Sequence, residues 1–211
     1  MILKVKNLVL ASTAVVAMSA TMASAAHAGQ FTAEAYPATM TGTQLTNHQF
    51  QFLGGAINCA ASSFHGTLEA AAGALTTKAT YAECATAGGA GIAINMTSCD
   101  YVLHAGETLE HDRVDGSIDV QCAQGGDEID IVEPATGCSI GIPAQQGLTT
   151  LVYTNHTVAK DFDIDMAVTE MEYTQNANCP GGEGVFFNGQ YSGQITMTAD
   201  FGGAGIGTKV D

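Results

Sequence analysis

Along most of the chain, apolar and polar residues alternate one by one, and the alternation is broken every eight to twelve residues by glycine, proline or aspartate. A period of two places successive side chains on opposite faces of an extended backbone, so the pattern predicts short, half-buried β-strands. The longest clean run is Asp161-Phe162-Asp163-Ile164-Asp165-Met166-Ala167-Val168, with Phe162, Ile164, Met166 and Val168 on one face and the three aspartates on the other. At Thr169-Glu170 the phase changes, because Met171 and Tyr173 then hold the apolar parity; a bulge or a turn is expected there. Similar runs are His48/Phe50/Phe52, Ile57 to Phe64, Ile92/Ile94/Met96, Tyr101/Leu103, Ile118/Val120, Ile129/Ile131, Cys138/Ile140/Ile142, Leu151/Tyr153 and Val185 to Phe201. Gly54-Gly55, the stretch Gly88 to Gly91 and Gly125-Gly126 separate them as turns, and Pro134 ends the run before it. The segment from Gly106 to Asp115 loses the alternation and reads as a polar loop closing on the turn Asp115-Gly116. No helical period persists beyond a few residues and no internal repeat has a fixed period, so the expected fold is an all-β, antiparallel β-sandwich or a partly open barrel.

The N-terminus stands apart from this pattern. Lys4 and Lys6 precede an apolar run from Leu8 to Met18, and small residues ending Ala26-His27-Ala28 follow, which is the layout of a secretory signal. Cleavage after Ala28 is expected, with Ala25 as a second acceptable site, leaving one domain over residues 29–211. The run is too short for a membrane anchor, and no later stretch offers ~20 apolar residues, so no membrane insertion is expected.

Export makes the cysteines informative. All six, Cys59, Cys84, Cys99, Cys122, Cys138 and Cys179, follow the signal, and an even number in an exported chain predicts three disulfides. Pairing of neighbours suggests Cys59 with Cys84 and Cys122 with Cys138, leaving Cys99 with Cys179. No C-x-x-C spacing and no Cys/His ligand cluster supports a zinc or redox site.

Charge narrows the partners. The formal net charge is −15, and beyond the signal only Lys78, Arg113, Lys160 and Lys209 oppose 21 carboxylates. Such a surface repels nucleic acid and anionic lipid, while leaving cations, glycans or proteins as partners. Asp161, Asp163, Asp165, Val168 and Glu172 match positions 1, 3, 5, 8 and 12 of an EF-hand loop, but Met166 stands where that loop needs glycine and the flanks are poor helices. In a strand, same-face neighbours lie about 7 Å apart. One calcium ion with ligands at about 2.3 to 2.6 Å then reaches two of the three aspartates at most. The expected state is an exposed acidic row.

Asp127 and Asp130, with Glu128 and Glu133, form a second acidic group on a glycine-rich turn and its strand, a setting in which β-sandwich loops bind calcium. His104 and His111 with Asp112 are the best acid/base candidates, without H-E-x-x-H spacing or a G-x-S-x-G elbow to support an enzyme. Asn95 and Asn155 head glycosylation sequons.

The strings Tyr36-Pro37-Ala38-Thr39-Met40-Thr41-Gly42, His48-x-Phe50-x-Phe52, Ile57-x-Cys59, Phe64-x-Gly66, Tyr81-x-x-Cys84, Asn95-Met96-x-x-Cys99-x-Tyr101 and Tyr153-Thr154-Asn155 resemble those of exported, cysteine-containing all-β bacterial proteins of uncharacterised function. The resemblance implies secretion, disulfides and a β fold, and implies no site. Taken together, the expectation is a secreted or cell-surface, disulfide-stabilised, non-enzymatic protein with a structural or binding role and no cofactor. A calcium-dependent carbohydrate-binding module, using Asp127, Asp130 and the Asp161 row, is the alternative, and a secreted hydrolase the third.

Overall fold

The computed structural model describes residues 29–211, so the expected signal segment 1–28 lies outside the described residues. Fifteen strands and no helix occur among them: β1 (Phe31–Ala33), β2 (Ala38–Gln44), β3 (His48–Phe52), β4 (Gly55–Leu68), β5 (Ala74–Thr86), β6 (Gly91–Asn95), β7 (Cys99–Glu110), β8 (Arg113–Cys122), β9 (Glu128–Glu133), β10 (Cys138–Pro143), β11 (Gln145–His156), β12 (Asp161–Gln175), β13 (Gly184–Phe201), β14 (Ala204–Ile206) and β15 (Thr208–Val210). β1 and β15 form a two-stranded ribbon. The other thirteen make one antiparallel sheet in the order β10-β9-β6-β5-β7-β8-β11-β12-β13-β2-β4-β3, with β14 on β13.

The sheet folds over itself because its long strands change partner along their length. β4 pairs β3 through Gly55–Cys59 and β2 through Ser63–Leu68. β12 pairs β11 at its start and β10 at Thr174 and Gln175, while β13 pairs β3 at Gln190–Ser192 and β2 further on. The further pairings β4–β5, which runs from Ile57 to Gly66, β10–β12 and β3–β13 tie the sheet back on itself and give the sandwich-like, antiparallel fold expected from the alternation.

The phase change in β12 is a bulge. Its ladder with β13 shifts between Val168 and Met171, and Glu170 takes a left-handed φ of 58°. The extra residue bends the strand and keeps Phe162, Ile164, Met166 and Val168 before it, and Met171 and Tyr173 after it, on the buried side.

The polar stretch from Gly106 to Asp115 is not a loop. β7 runs to Glu110 and β8 resumes at Arg113, so only His111 and Asp112 turn. Side chains at the tip are exposed on both faces, so polarity replaces alternation without ending the ladder. The expected turn at Asp115-Gly116 is likewise strand. Gly116 is required by packing: a Cβ there would lie 2.4 Å from both the His104 carbonyl oxygen and the Tyr153 ring. Tyr153 is fully buried, donates its hydroxyl to the His104 carbonyl at 3.0 Å, and meets Phe31 edge-on at 5.3 Å between centroids.

Two disulfides link residues directly opposite one another in neighbouring strands, Cys59–Cys84 across β4/β5 and Cys99–Cys122 across β7/β8. The third, Cys138–Cys179, ties β10 to the segment after β12. The first is the expected pair; the other two replace Cys122–Cys138 and Cys99–Cys179. The physical reason is register, because the β7/β8 hairpin sets Cys99 directly opposite Cys122.

Candidate functional site

The aspartate row is held by its neighbours in the sheet. In β12, Asp161 faces His156 of β11, Asp163 faces Thr196 of β13, and Asp165 faces Gln194 of β13. His156 bridges two of them, Nδ1 at 2.8 Å from Asp161 and Nε2 at 3.4 Å from Asp163. Thr196 donates its hydroxyl to Asp163 at 2.7 Å, and the Gln194 amide donates to Asp165. All three aspartates are half-buried. This corrects the exposed row: cross-strand donors draw the carboxylates down onto the sheet. Elsewhere, Asp127 accepts from the Ser98 hydroxyl and Asp130 from the Ser139 hydroxyl at 3.2 Å. Among the described residues no three His, Cys, Asp or Glu side chains gather closely enough to hold a metal ion. The five candidate ligands, Asp127, Asp130, Asp161, Asp163 and Asp165, therefore do not form one calcium site.

The histidines separate as well. His104 pairs through Nε2 with Asp119 at 2.9 Å, and the other Asp119 oxygen accepts the Gly147 N–H at 2.7 Å. His111 sits at the β7/β8 tip with a φ of 38°, away from that pair. Among the described residues no histidine ring is hydrogen-bonded to a serine, threonine or cysteine side chain; the three rings that are bonded meet Tyr191, Asp119 and Asp161.

His48 is fully buried. Its Nδ1 lies 2.6 Å from the Tyr191 hydroxyl, which lies 2.7 Å from that of Tyr81, which donates to Tyr101 at 3.2 Å. Burial lowers the His48 pKa to about 4 and raises Tyr101 to about 12, with Tyr81 and Tyr191 raised as well. The network is closed inside the core, and its alternation with glutamines in β3 gave no sign of it.

Two cavities mark the two ends of β12. At the Asp161 end, a groove of about 700 Å³ runs between the β1/β15 ribbon, the β7/β8 tip and the β11–β12 turn. Four of its charged side chains are paired, Lys160 with Glu34 at 2.7 Å and Lys209 with Asp211 at 2.6 Å, and His156 meets Asp161, while Asp112 has no ion pair among the described residues. Lys160 holds the Glu34 carboxyl below the usual range. Asn155, heading a sequon, donates to the Val210 carbonyl at 2.6 Å and accepts the Val210 N–H at 2.8 Å, so its amide nitrogen is already engaged. Among the described residues no phenylalanine or tyrosine ring lines this groove, so it lacks the broad apolar face on which a sugar stacks.

At the Gln175 end, a pocket of about 290 Å³ opens beside the β3–β4 and β5–β6 turns. Phe52, Ile57, Ile92, Ile131 and Ile140 supply apolar wall, reinforced by the Cys138–Cys179 disulfide. Glu133, the last residue of β9, is the one charged side chain in the lining. Gln175 is 5% exposed, and its amide nitrogen donates to the Pro180 carbonyl at 3.2 Å and to that of Gly182 at 2.5 Å, leaving Oε1 as an acceptor without a partner among the described residues.

Sequence reasoning did not find this pocket, because each of its isoleucines alternates as an ordinary core residue. No family model, curated protein or solved structure matches the chain.

Proposed function

We propose that this is an exported, non-enzymatic binding protein, freed of residues 1–28 on export and folded as one domain, whose ligand site is the apolar pocket at the Gln175 end. The pocket carries the reading: a preformed cleft of about 290 Å³, walled by strand residues and braced by a disulfide, with few polar groups, is the common form of a small-molecule site. Three disulfides support an oxidising destination, and no helix among the described residues is long and apolar enough to cross a membrane. The calcium-dependent module has less support, since the carboxylates proposed for it are dispersed and each of the five accepts a hydrogen bond from a neighbour.

The direct test is a titration with indole, a neutral ring small enough for the cavity, followed by methyl NMR of the isoleucines. Ile57, Ile92, Ile131 and Ile140 should shift together while Ile118 and Ile195 stay fixed, and Ile92→Trp, which fills the pocket from its half-buried wall, should abolish the response. Shifts scattered over the whole molecule would sink the reading.

A further inference from the structure

We infer that the pocket selects a cationic ligand: an apolar ring or short chain bearing an ammonium group, with the ammonium at Glu133. The inference rests on the pocket being the binding site and deepens it by naming the ligand's charge.

Size comes first. An apolar cavity of roughly 150 Å³ holds one benzene. This pocket, at about 290 Å³, takes a fused ring or a substituted ring. The walls set the apolar part, and the polar groups then set the head.

Glu133 is half-buried at the margin of that wall, opposite Cys138 in the β9/β10 ladder. One of its oxygens, Oε2, accepts from the Thr136 hydroxyl at 3.0 Å. No Lys, Arg or His forms an ion pair with it among the described residues; the ion pairs there involve His104, His156, Lys160 and Lys209, none of which lines the pocket. The carboxylate therefore borders an apolar cavity without a counter-charge of its own. Gln175 adds to the bias, because its nitrogen is held by two backbone carbonyls and its oxygen is left to accept. A ligand that enters with a donor and a positive charge satisfies both groups. One that enters with a carboxylate meets Glu133 beside an apolar wall, where like charges repel more strongly than in open water. The net charge of −15 acts in the same direction at longer range, concentrating cations and excluding anions.

The test compares three indoles of similar size: tryptamine, 3-ethylindole and indole-3-propionate, which are cationic, neutral and anionic at pH 7. The chain contains no tryptophan, so indole fluorescence reports the ligand alone. Anisotropy titrations should give tryptamine a Kd about tenfold or more below that of 3-ethylindole, with indole-3-propionate weakest. Glu133→Gln keeps an acceptor for Thr136 and should raise the tryptamine Kd to that of 3-ethylindole while leaving the neutral ligand unchanged. Ile92→Trp, which contributes its own fluorescence, is assayed by equilibrium dialysis and should weaken all the ligands that bind.

Equal Kd values for tryptamine and 3-ethylindole, unaffected by Glu133→Gln but lost in Ile92→Trp, would overturn the cation inference and leave the pocket standing as a binding site. Tryptamine binding that survives both substitutions would place the cation elsewhere on the acidic surface and overturn it too. Failure of all three indoles to bind would remove the binding reading itself, and the inference with it.

Discussion

Acid should loosen this protein well above the pH at which carboxylates titrate, and one residue is responsible. His48 is fully buried, with Nδ1 on the Tyr191 hydroxyl and Nε2 without a hydrogen-bond partner among the described residues, and burial lowers its pKa from 6.5 to about 4. The folded state therefore stays neutral at His48 while the unfolded chain takes up a proton as pH falls below 6.5. Stability contributed by the neutral form is fully present above pH 6.5 and is lost as pH falls from there towards 4. Each unit of pKa difference is about 1.4 kcal/mol, so the loss at this one site amounts to roughly 2 kcal/mol between pH 7 and 5 and about 3 kcal/mol by pH 4. Urea unfolding followed by far-UV circular dichroism at pH 7, 6 and 5 measures it. His48→Asn keeps a short polar group towards Tyr191 and removes the titration. The variant should be less stable at pH 7, by roughly 1 to 3 kcal/mol for the lost packing, but its stability should fall by about 2 kcal/mol less than that of the parent between pH 7 and 5. Taking the difference between the two proteins cancels the other histidines. Parallel pH profiles would refute the argument, since a histidine that titrates alike in both states contributes no slope.

Other expectations follow from the fold. Gly116→Ala places a methyl group 2.4 Å from the His104 carbonyl and the Tyr153 ring; overpacking of this kind should cost about 3 kcal/mol, seen as a lower urea midpoint, and an unchanged midpoint would contradict the packing. Non-reducing digestion with mass spectrometry should yield Cys59–Cys84, Cys99–Cys122 and Cys138–Cys179 peptides only. Replacing Cys138 and Cys179 together by alanine should lower stability by roughly 4 kcal/mol, as expected for a loop of that span, and should weaken indole binding because the bridge is part of the pocket wall. Calcium at millimolar concentration should leave the melting temperature where it was; occupancy at 100 times the dissociation constant would add about 2.7 kcal/mol and restore the calcium-dependent alternative.

Much of the architecture was legible because a period of two states which face is buried without reference to anything distant. The break at Thr169-Glu170 is the clearest case: the switch of apolar parity from Val168 to Met171 is the bulge itself, written in the side chains. Where burial is absent, the same signal fails. At the β7/β8 tip both faces are solvated, so Glu107 to Asp112 carries no alternation, and a paired hairpin read as a loop. The two misplaced disulfides have a separate origin: pairing cysteines by nearness in sequence misses the opposition of Cys99 and Cys122, which follows only once β7 and β8 are known to pair. The aspartate row illustrates another limit. Its strand was evident, but its partners His156, Thr196 and Gln194 come from two other strands whose register no local pattern states. The pocket was least legible of all, since it is the space left between β3, β4, β6, β9 and β10 where they diverge, and a space has no residues of its own.

The contrast between the two ends of β12 bears on where a ligand would go. At the Asp161 end, Lys160 with Glu34, Lys209 with Asp211, and His156 with Asp161 and Asp163 satisfy one another, and Asn155 is fastened to Val210. A ligand entering that groove must break contacts the protein already makes, and its gain is the difference between old and new partners. At the Gln175 end, apolar wall, the Glu133 carboxylate and the Gln175 amide oxygen are presented with little to offset them inside the fold. There a ligand adds contacts without removing any. The larger groove is thus the poorer candidate, and the smaller pocket, held by strands that a disulfide ties together, is the better one.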